Sequence, residues 1–426
     1  MIVIKRKEDC VGCNGCVQVC PKQCISFNED TQSFRYPEID VERCIHCNLC
    51  EKVCPVIHQG SPKEPITVYA AKNNNEGIKE HSSSGGIFYA LAEKIIAEKG
   101  VVFGARFNDK WEVEHGYTED MEGVRAFQTS KYIQSYIGNS FCEVKSFLEI
   151  GRKVMFTGTP CQIAGLKLFL RKDYPDQLLT VDIVCHGVPS PGVWREYLDY
   201  VKDRYKKKFT DVGSELSISP VITSINFRDK RLGWNKYGVS ICITNTDLIR
   251  NTNIAEIKPI ENKEFLFEPV SQNIYMQGFL KDLYLRPACY ECPAKCGKSH
   301  ADLTLGDFWG LPVVYPEYYK EGCFSLLLVR TEMGKPILNS LQTITLKEAT
   351  YRKALYGNPS IEKSTIRPKQ YDEFWKLFPK IGIEAIVKIV TTMSPSLLRR
   401  IYKMICILVK SCLTNDDFRI NKLLNK

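Results

Sequence analysis

The segment CVGCNGCVQVCP at residues 10–21 has a second copy, CIHCNLCEKVCP, at residues 44–55. Each copy spaces its four cysteines as C-x2-C-x2-C-x3-C and has a proline directly after the fourth cysteine. Three thiolates on one tight loop can bind three corners of a single iron–sulfur cube, while the fourth lies on the next helical turn and points towards the neighbouring cube. The repeat therefore predicts two 4Fe-4S clusters that exchange their fourth ligands.

This exchange gives each cluster three cysteines from one copy and one from the other. The expected ligands are Cys10, Cys13, Cys16 and Cys54 for the first cluster and Cys44, Cys47, Cys50 and Cys20 for the second. Alternating apolar and polar residues in segments 24–28 and 33–36 predict a β-hairpin between the copies. Structural zinc sites also use paired C-x2-C motifs, but the tandem run with its two prolines favours clusters. Residues 1–62 are expected to form a small ferredoxin-like domain.

Composition favours metal ligation over disulfide bonds. The chain has 426 residues, 19 cysteines, 44% hydrophobic and 25% charged residues, which excludes a disordered or collagenous chain and suggests two or three domains. No apolar run reaches the roughly 18 residues that a membrane-spanning helix needs, and the N-terminus lacks the apolar stretch of a signal peptide. We therefore expect a cytoplasmic protein, in which thiols stay reduced.

The net charge of +9 comes mostly from the C-terminal segment. Residues 376–426 contain ten Lys and Arg and three Asp and Glu. A nucleic-acid-binding protein is expected to spread a basic stripe across a folded domain, so we expect no nucleic-acid partner. Residues 371–426 predict a basic amphipathic helical tail. Such a tail either makes peripheral contact with an acidic membrane surface or a partner, or packs on its own domain with a solvated basic face.

Residues 63–370 predict α/β units with polar loops at the ends of strands. Cys161 lies just after the apolar strand predicted at 153–156 and before a helix predicted from about Ile163, and Cys185 lies just after the strand predicted at 178–184. Open α/β sheets bind ligands at the carboxyl ends of their strands. A cofactor is therefore expected at this edge, although no GxGxxG motif of the Rossmann type follows any of these strands.

A Ser- and Gly-rich loop at 81–86 precedes an amphipathic helix that begins near Ile87. Small residues at a helix N-terminus let backbone N–H groups approach a phosphate. An ordinary capped helix has the same sequence pattern. The loop alone leaves both interpretations open.

A second cysteine set lies far from the tandem repeat. Cys289, Cys292 and Cys296 are spaced C-x2-C-x3-C, and three thiolates cannot close a four-thiolate site. A distant cysteine must join them, and Cys161 and Cys185 are the candidates. Zinc is the alternative to a third cluster here, and the sequence leaves open whether Cys161 or Cys296 completes the set.

Six segments of the chain, in the order in which they occur, are the basis of a resemblance to known proteins. They are SSSGGIFYALAEKIIAEKGVVFGA (82–105), SKYIQSYIG (130–138), FTGTPCQIAGLK (156–167), VCHGVPSP (184–191), RPACYECP (286–293) and ADLTLGDFWG (301–310). With the tandem cysteine runs, they resemble the coenzyme F-420 hydrogenase/dehydrogenase beta subunit family over about residues 1–315. The resemblance implies an FAD-containing iron–sulfur protein that passes electrons between clusters and a deazaflavin, another hydride carrier or an organic substrate.

The resemblance also implies roles for individual residues. The flavin phosphates would lie beside Ser83, Ser84, Gly85 and Gly86. The flavin would be lined by Ser130, Lys131, Tyr132, Thr157, Gly158, Thr159, Pro160 and Gln162. A third cluster would be held by Cys161, Cys185, Cys289 and Cys292, with Cys296 as a departure from the C-x2-C of the family. Lys131, which would stabilise an anionic reduced flavin, and Cys161 are the catalytic candidates. Arg228, Lys230 and Arg286 are candidates for binding an acidic substrate.

The expected protein is a chain of α+β and α/β class with three parts. A ferredoxin-like domain (1–62) precedes a mixed α/β flavin-binding domain with an additional iron–sulfur site (63–370) and the basic helical tail (371–426). The expected function is an iron–sulfur flavoprotein oxidoreductase that couples hydride chemistry at FAD to one-electron transfer through clusters. Reduced coenzyme F-420 or ferredoxin is the expected electron donor, and a small molecule is the expected substrate.

The expected macromolecular partner is a soluble electron carrier or a redox partner protein. The alternative is a non-catalytic electron-transfer subunit that only connects a partner enzyme through its clusters. The SSGG and TGTPCQ loops favour the oxidoreductase, because a subunit that only conducts electrons needs no flavin pocket.

Overall fold

The computed structural model describes residues 1–210, 219–245 and 264–392 of the chain. This part combines an N-terminal β-hairpin, a large mixed sheet covered by helices and a small antiparallel sheet. The mixed α/β fold that the sequence predicts is confirmed. None of the helices in this part of the chain has both the length and the apolar character that crossing a bilayer requires.

The strands of the described ranges are β1 (Ile25–Glu29), β2 (Arg35–Ile39), β3 (Thr67–Asn73), β4 (Val101–Phe107), β5 (Val113–Thr118), β6 (Val154–Gly158), β7 (Leu178–Ile183), β8 (Pro220–Asp229), β9 (Gly238–Asn245), β10 (Glu264–Pro269), β11 (Leu303–Asp307), β12 (Ser325–Val329) and β13 (Ile344–Ala349). The α-helices are α1 (Gly15–Gln18), α2 (Leu49–Lys52), α3 (Glu76–Glu80), α4 (Ile87–Ala97), α5 (Met121–Phe127), α6 (Ser140–Glu149), α7 (Pro160–Leu170), α8 (Pro191–Thr210), α9 (Ile274–Leu280), α10 (Leu311–Val314), α11 (Pro316–Tyr319), α12 (Gly334–Ser340), α13 (Tyr351–Gly357), α14 (Tyr371–Ile381) and α15 (Glu384–Thr392).

The two cysteine copies have the same backbone shape. Strands β1 and β2 pair antiparallel as the hairpin predicted between them. In each copy an asparagine with a left-handed backbone, Asn14 at φ 61° and Asn48 at φ 57°, precedes a single-turn helix. Asparagine is enriched in this conformation among non-glycine residues. The sequence repeat is therefore also a structural repeat.

The large sheet has four parallel strands at its centre. Its order is β13-β3-β12-β11-β7-β6-β4-β5, in which β11, β7, β6 and β4 run parallel and the flanking strands run antiparallel. The carboxyl ends of the four parallel strands consequently meet at one edge. Ligands of open α/β sheets bind at such an edge.

Helices cover both faces of this sheet. Val102 and Met155 point to one face and pack with side chains of α4 and α5. Phe103 and Phe156 point to the other face and pack against α6 and α7. All four side chains are fully buried, as expected for central parallel strands that are covered on both sides.

A separate core lies against the small antiparallel sheet β10-β9-β8. Trp194 of α8, Phe374 of α14 and Ile386 of α15 are fully buried in it. Residues 371–392 therefore pack on the main body with their apolar side. Residues 393–426 of the predicted basic tail lie outside the described residues, so the membrane and partner alternatives stay predictions.

Helix α7 begins at Pro160 rather than near Ile163, where the sequence pattern first indicated it. Thr159 and Gln162 form a reciprocal capping box at its start. Proline fits the first helical position, because its missing N–H would have no partner there. Cys161 consequently lies in the first turn of α7, at the ligand-binding edge of the sheet.

Candidate functional site

The first cysteine set is brought together in a buried position. Cys13, Cys16 and Cys54 are buried, and Cys10 is half-buried. Burial and the neighbouring thiols raise the pKa of Cys13 and of Cys16. Four thiolates at this position therefore need added positive charge, which bound iron supplies. The donor set fits a 4Fe-4S cluster.

The second cysteine set surrounds a small cavity beside the hairpin. The cysteines that line it are Cys20, Cys44, Cys47, Cys50 and also Cys24. The sulfurs of Cys20 and Cys24 lie 3.4 Å apart, and burial raises the pKa of Cys24 to about 11. The structure thus brings Cys20 to the second copy and Cys54 to the first, which is the arrangement that exchanged fourth ligands require.

The third cysteine set surrounds another small cavity in the main body. The cysteines that line it are Cys161, Cys185, Cys289 and Cys292. Burial raises the pKa of Cys161 to about 12 and that of Cys185 to about 11, so this set also needs a cation to hold four thiolates. Cys296 lies apart, where its thiol donates to the carbonyl of Glu362 at 3.3 Å.

A single zinc ion would need its sulfur ligands at about 2.3 Å. Across residues 1–210, 219–245 and 264–392, no group of three or more His, Cys, Asp or Glu side chains is arranged to hold one metal ion. Zinc at the third set therefore stays the alternative that the sequence left open. Cluster ligands, in contrast, stand around a larger inorganic core.

A cavity of about 590 Å3 lies at the carboxyl edge of the parallel strands. Ends of all four strands line it, with Ala105 of β4, Thr157 of β6, Ile183 of β7 and Asp307 of β11. Its size is within the range of small-molecule and cofactor sites. The sheet topology therefore places a large cavity where the sequence predicts a cofactor.

Most residues proposed to bind the flavin line this cavity. They are Ser83, Ser84, Gly86, Ser130, Lys131, Tyr132, Thr157, Gly158, Thr159 and Gln162. Gly85 does not line it. A Cβ at Gly85 would clash with the carbonyl oxygen of Ala71, so this glycine packs against the sheet. Pro160 lines the cavity of the third cysteine set instead.

The cofactor cavity and the third cysteine set share a wall. Residues 185–188 line both cavities. His186 in this wall forms a 2.6 Å contact with the carboxylate of Asp282. A molecule in the large cavity would therefore lie directly beside the third cysteine set.

The cavity contains a lysine with no described carboxylate partner. Lys131 donates from Nζ to the carbonyls of Gln128 and Thr129 at 2.9 and 3.4 Å. Burial lowers the pKa of Lys131 to about 7. A proton at this Nζ is consequently exchangeable near neutral pH.

A buried ion pair supports the serine loop. Arg228 pairs with Asp307 at 3.0 Å and donates to the carbonyl of Ser83 at 3.2 Å. Its guanidinium lies 3.7 Å from the centre of the Tyr237 ring. Only Nη2 of Arg228 makes these hydrogen bonds, and its Nε and Nη1 have no hydrogen-bond partner among the described residues. Lys230 donates to the carbonyl of Lys79 at 2.5 Å. Arg286 lies at the first cysteine copy, where it donates to the carbonyl of Cys10.

Two cavity residues were not singled out from the sequence. Asp307 ends β11 within the LGDFWG segment, and its position at the carboxyl end of a strand was the available signal. His115 on β5 donates from Nε2 to the carbonyl of Thr157 at 3.0 Å, and burial lowers its pKa to about 4. A histidine within a strand has no neighbouring sequence motif that would mark it as a residue lining a cavity.

Comparisons with known proteins agree with both halves of the chain. Residues 9–57 match the 4Fe-4S dicluster domain, and residues 151–351 match the C-terminal part of the beta subunits of coenzyme F420 hydrogenase/dehydrogenase. No curated protein matches the chain. Thirteen chains of solved structures match. One belongs to the F420-reducing NiFe hydrogenase complex from Methanosarcina barkeri, with 16% identity, coverage of 78% of this chain and 93% of that chain, and a TM-score of 0.43, which is too low to carry an argument.

Proposed function

We propose that this chain, whose residues 9–57 match a 4Fe-4S dicluster domain and whose residues 151–351 match the C-terminal part of the coenzyme F420 hydrogenase/dehydrogenase beta subunits, is a flavin-dependent iron–sulfur oxidoreductase. The observation that best supports this proposal is the wall at residues 185–188, which the large cavity shares with the third cysteine set. FAD in this cavity would supply the conversion between two-electron hydride chemistry and one-electron transfer.

The start of α4 would hold the phosphates of the cofactor. Ser83, Ser84 and Gly86 line the cavity at this helix N-terminus, where unpaired N–H groups and the helix dipole favour an anion. Gly86 has a φ of 79°, a conformation that glycine adopts without steric cost. Arg228 fixes the loop through the carbonyl of Ser83.

Lys131 would place a positive charge beside the redox-active part of the cofactor. Its pKa of about 7 is matched to holding or releasing a proton at Nζ near neutral pH. Negative charge that develops on a reduced cofactor would favour the protonated form. Apolar side chains such as Phe279 and Leu305 line the same cavity and would exclude water from it.

The cysteine sets would carry single electrons to or from the cavity. Val11, Cys13 and Ala288 form one apolar cluster with Cys161 packed against it, so the first and third sets adjoin. Cys47 of the second set is exposed. The proposed order is therefore the second cluster at the surface, then the first, then the third, then the flavin. A soluble electron carrier would dock near the second cluster.

Anaerobic purification followed by a visible spectrum tests this function. We expect a flavin absorption band that denaturation releases, and about twelve iron atoms per chain. About eight iron atoms with no flavin would overturn the proposal and support the alternative, a non-catalytic subunit that only conducts electrons. With flavin present, reductase assays with reduced F-420, reduced ferredoxin and other donors would identify the electron donor.

A further inference from the structure

Arg286 is a buried cation that no described carboxylate neutralises. Its side chain is 1% exposed. It donates to the carbonyls of Cys10 and Arg35 at 2.7 and 2.9 Å and to Oε1 of Gln134 at 3.0 Å. Within the described residues these acceptors are all neutral, in contrast to Arg228, which has a carboxylate partner.

Arg286 also contacts two aromatic rings and a cluster ligand: its guanidinium lies 4.4 Å from the centre of the Tyr36 ring and 5.5 Å from that of Phe34. Its Nη2 lies 3.4 Å from Sγ of Cys10. A buried charge is costly unless it is paired, and neutral acceptors offset only part of that cost. A 4Fe-4S cluster with four thiolates has a net negative charge, so it is the anion that this position lacks.

Arg286 also lies between two of the cysteine sets. It lines the small cavity that Cys161, Cys185, Cys289 and Cys292 surround. On its other side it presses against the first cysteine copy, because a Cβ at Gly12 would lie 2.8 Å from Nη1 of Arg286. One guanidinium is therefore adjacent to both the first and the third set.

Lys295 is a second buried cation that donates only to neutral oxygens, and it adjoins the third set alone. It is 7% exposed, and its Nζ donates to the carbonyls of Cys185 and Ser360 at 2.5 and 2.6 Å. It lines the third-set cavity but neither of the other cysteine sets. Arg286 and Lys295 thus both adjoin the third set, and Arg286 also adjoins the first.

We propose that Arg286 is the shared counter-cation of the first and third clusters and raises the reduction potential of both. The proposal deepens the function above and rests on its third cluster. Reduction adds one electron to a cluster without breaking a bond, and a fixed positive charge stabilises the added negative charge. Electrons entering at the second cluster would then settle on the inner pair, next to the flavin.

The test is a potentiometric titration of the full-length holoprotein, followed by electron paramagnetic resonance. Arg286→Gln should lower the reduced-to-oxidised ratio of the first and third clusters by about tenfold at a fixed potential, which is about 59 mV for a one-electron couple. Arg286→Lys, which keeps the charge, should restore most of that ratio. Lys295→Gln should shift the third cluster only, and the second cluster serves as the internal control.

The substitution Gln134→Glu neutralises the positive charge of Arg286 while leaving the arginine in place. It should give the same downward shift as Arg286→Gln, since the new carboxylate can accept the same hydrogen bond and neutralise the guanidinium. Unchanged potentials in both Gln134→Glu and Arg286→Gln, with wild-type iron content, would overturn the proposal. If Arg286→Gln does not fold, an unshifted Gln134→Glu alone overturns it.

The wild-type protein separates this inference from the proposed function. Missing flavin in the wild type would count against the oxidoreductase, while shifted cluster potentials in the variants would still support the role of Arg286. Eight iron atoms in the wild type would overturn the part of the inference that concerns the third cluster.

Discussion

The cavity region and the cysteine region differ in how they neutralise buried positive charge. At the cavity, Arg228 pairs with Asp307 at 3.0 Å. Around the cysteine sets, Arg286 and Lys295 donate to neutral oxygens, and no described ion pair includes either one. The difference teaches that Arg228 is balanced by a carboxylate of the protein, whereas Arg286 and Lys295 depend on the negative charge of the clusters.

Removal of iron tests whether the cysteine region depends on its clusters for charge neutralisation. It has the largest expected effect on stability. Chelation should leave Arg286 and Lys295 buried without counter-charge, at a cost on the order of 3–5 kcal/mol for each uncompensated charge. We expect residues 1–62 to lose amide protection in hydrogen exchange, while strands β4, β6 and β7 keep theirs. Equal protection of residues 1–62 with and without iron would break the comparison.

The next test asks which cysteines are ligands of the third cluster. Cys292→Ser should remove the third cluster and lower the iron content from about twelve to about eight atoms per chain. Cys296→Ser is the matched control and should keep all of its iron, because Cys296 lies away from the cavity. Iron analysis of both variants checks this, and loss of iron from Cys296→Ser would assign the ligands differently.

The paired arginine of the cavity gives a smaller, local effect. Asp307→Asn should lower the free energy of unfolding by about 3 kcal/mol, because it leaves Arg228 buried without a partner. The double variant Arg228→Met with Asp307→Leu should recover most of this loss, since it removes both charges. Chemical denaturation of the two variants measures the difference. An Asp307→Asn variant as stable as wild type would show that the pair does not neutralise Arg228.

Lys131 gives a pH dependence of stability, which is the smallest of these effects over any one pH unit. Its folded pKa of about 7 lies below the unfolded value of 10.5, so the unfolded chain binds more protons between these values. The free energy of unfolding should therefore rise with pH above about 7, by at most about 1.4 kcal/mol per pH unit. Lys131→Met should lack this contribution. Parallel pH profiles for the two proteins would contradict the lowered pKa.

Local spacing was sufficient to predict the N-terminal part. The hairpin between the cysteine copies and the dicluster domain are both confirmed, because every cysteine of the repeat lies within a few residues of the others in its copy. The mixed α/β class is also confirmed, since its strands and helices have clear apolar periodicities. Helix α7 begins earlier than the apolar pattern indicated, because its start depends on the capping pair Thr159 and Gln162.

The third set and the cavity needed the tertiary structure. Spacing alone made Cys296 a candidate ligand beside Cys289 and Cys292, whereas in the structure Cys296 does not line the cavity of the third set and its thiol contacts Glu362. The counter-charge role of Arg286 depends on contacts with Cys10 and Gln134, which are distant in sequence. For the same reason the sequence suggested a substrate role for Arg286 that its position beside the clusters does not favour.

The central claim is that electrons pass between the N-terminal clusters and a flavin through the third cysteine set. The most direct test mixes anaerobic wild-type protein and the Cys292→Ser variant with reduced ferredoxin and follows the visible spectrum over time. We predict that the flavin band of the wild type bleaches after the clusters, whereas in Cys292→Ser the two N-terminal clusters are reduced and the flavin stays oxidised. A flavin that is reduced equally fast in both proteins would contradict the account.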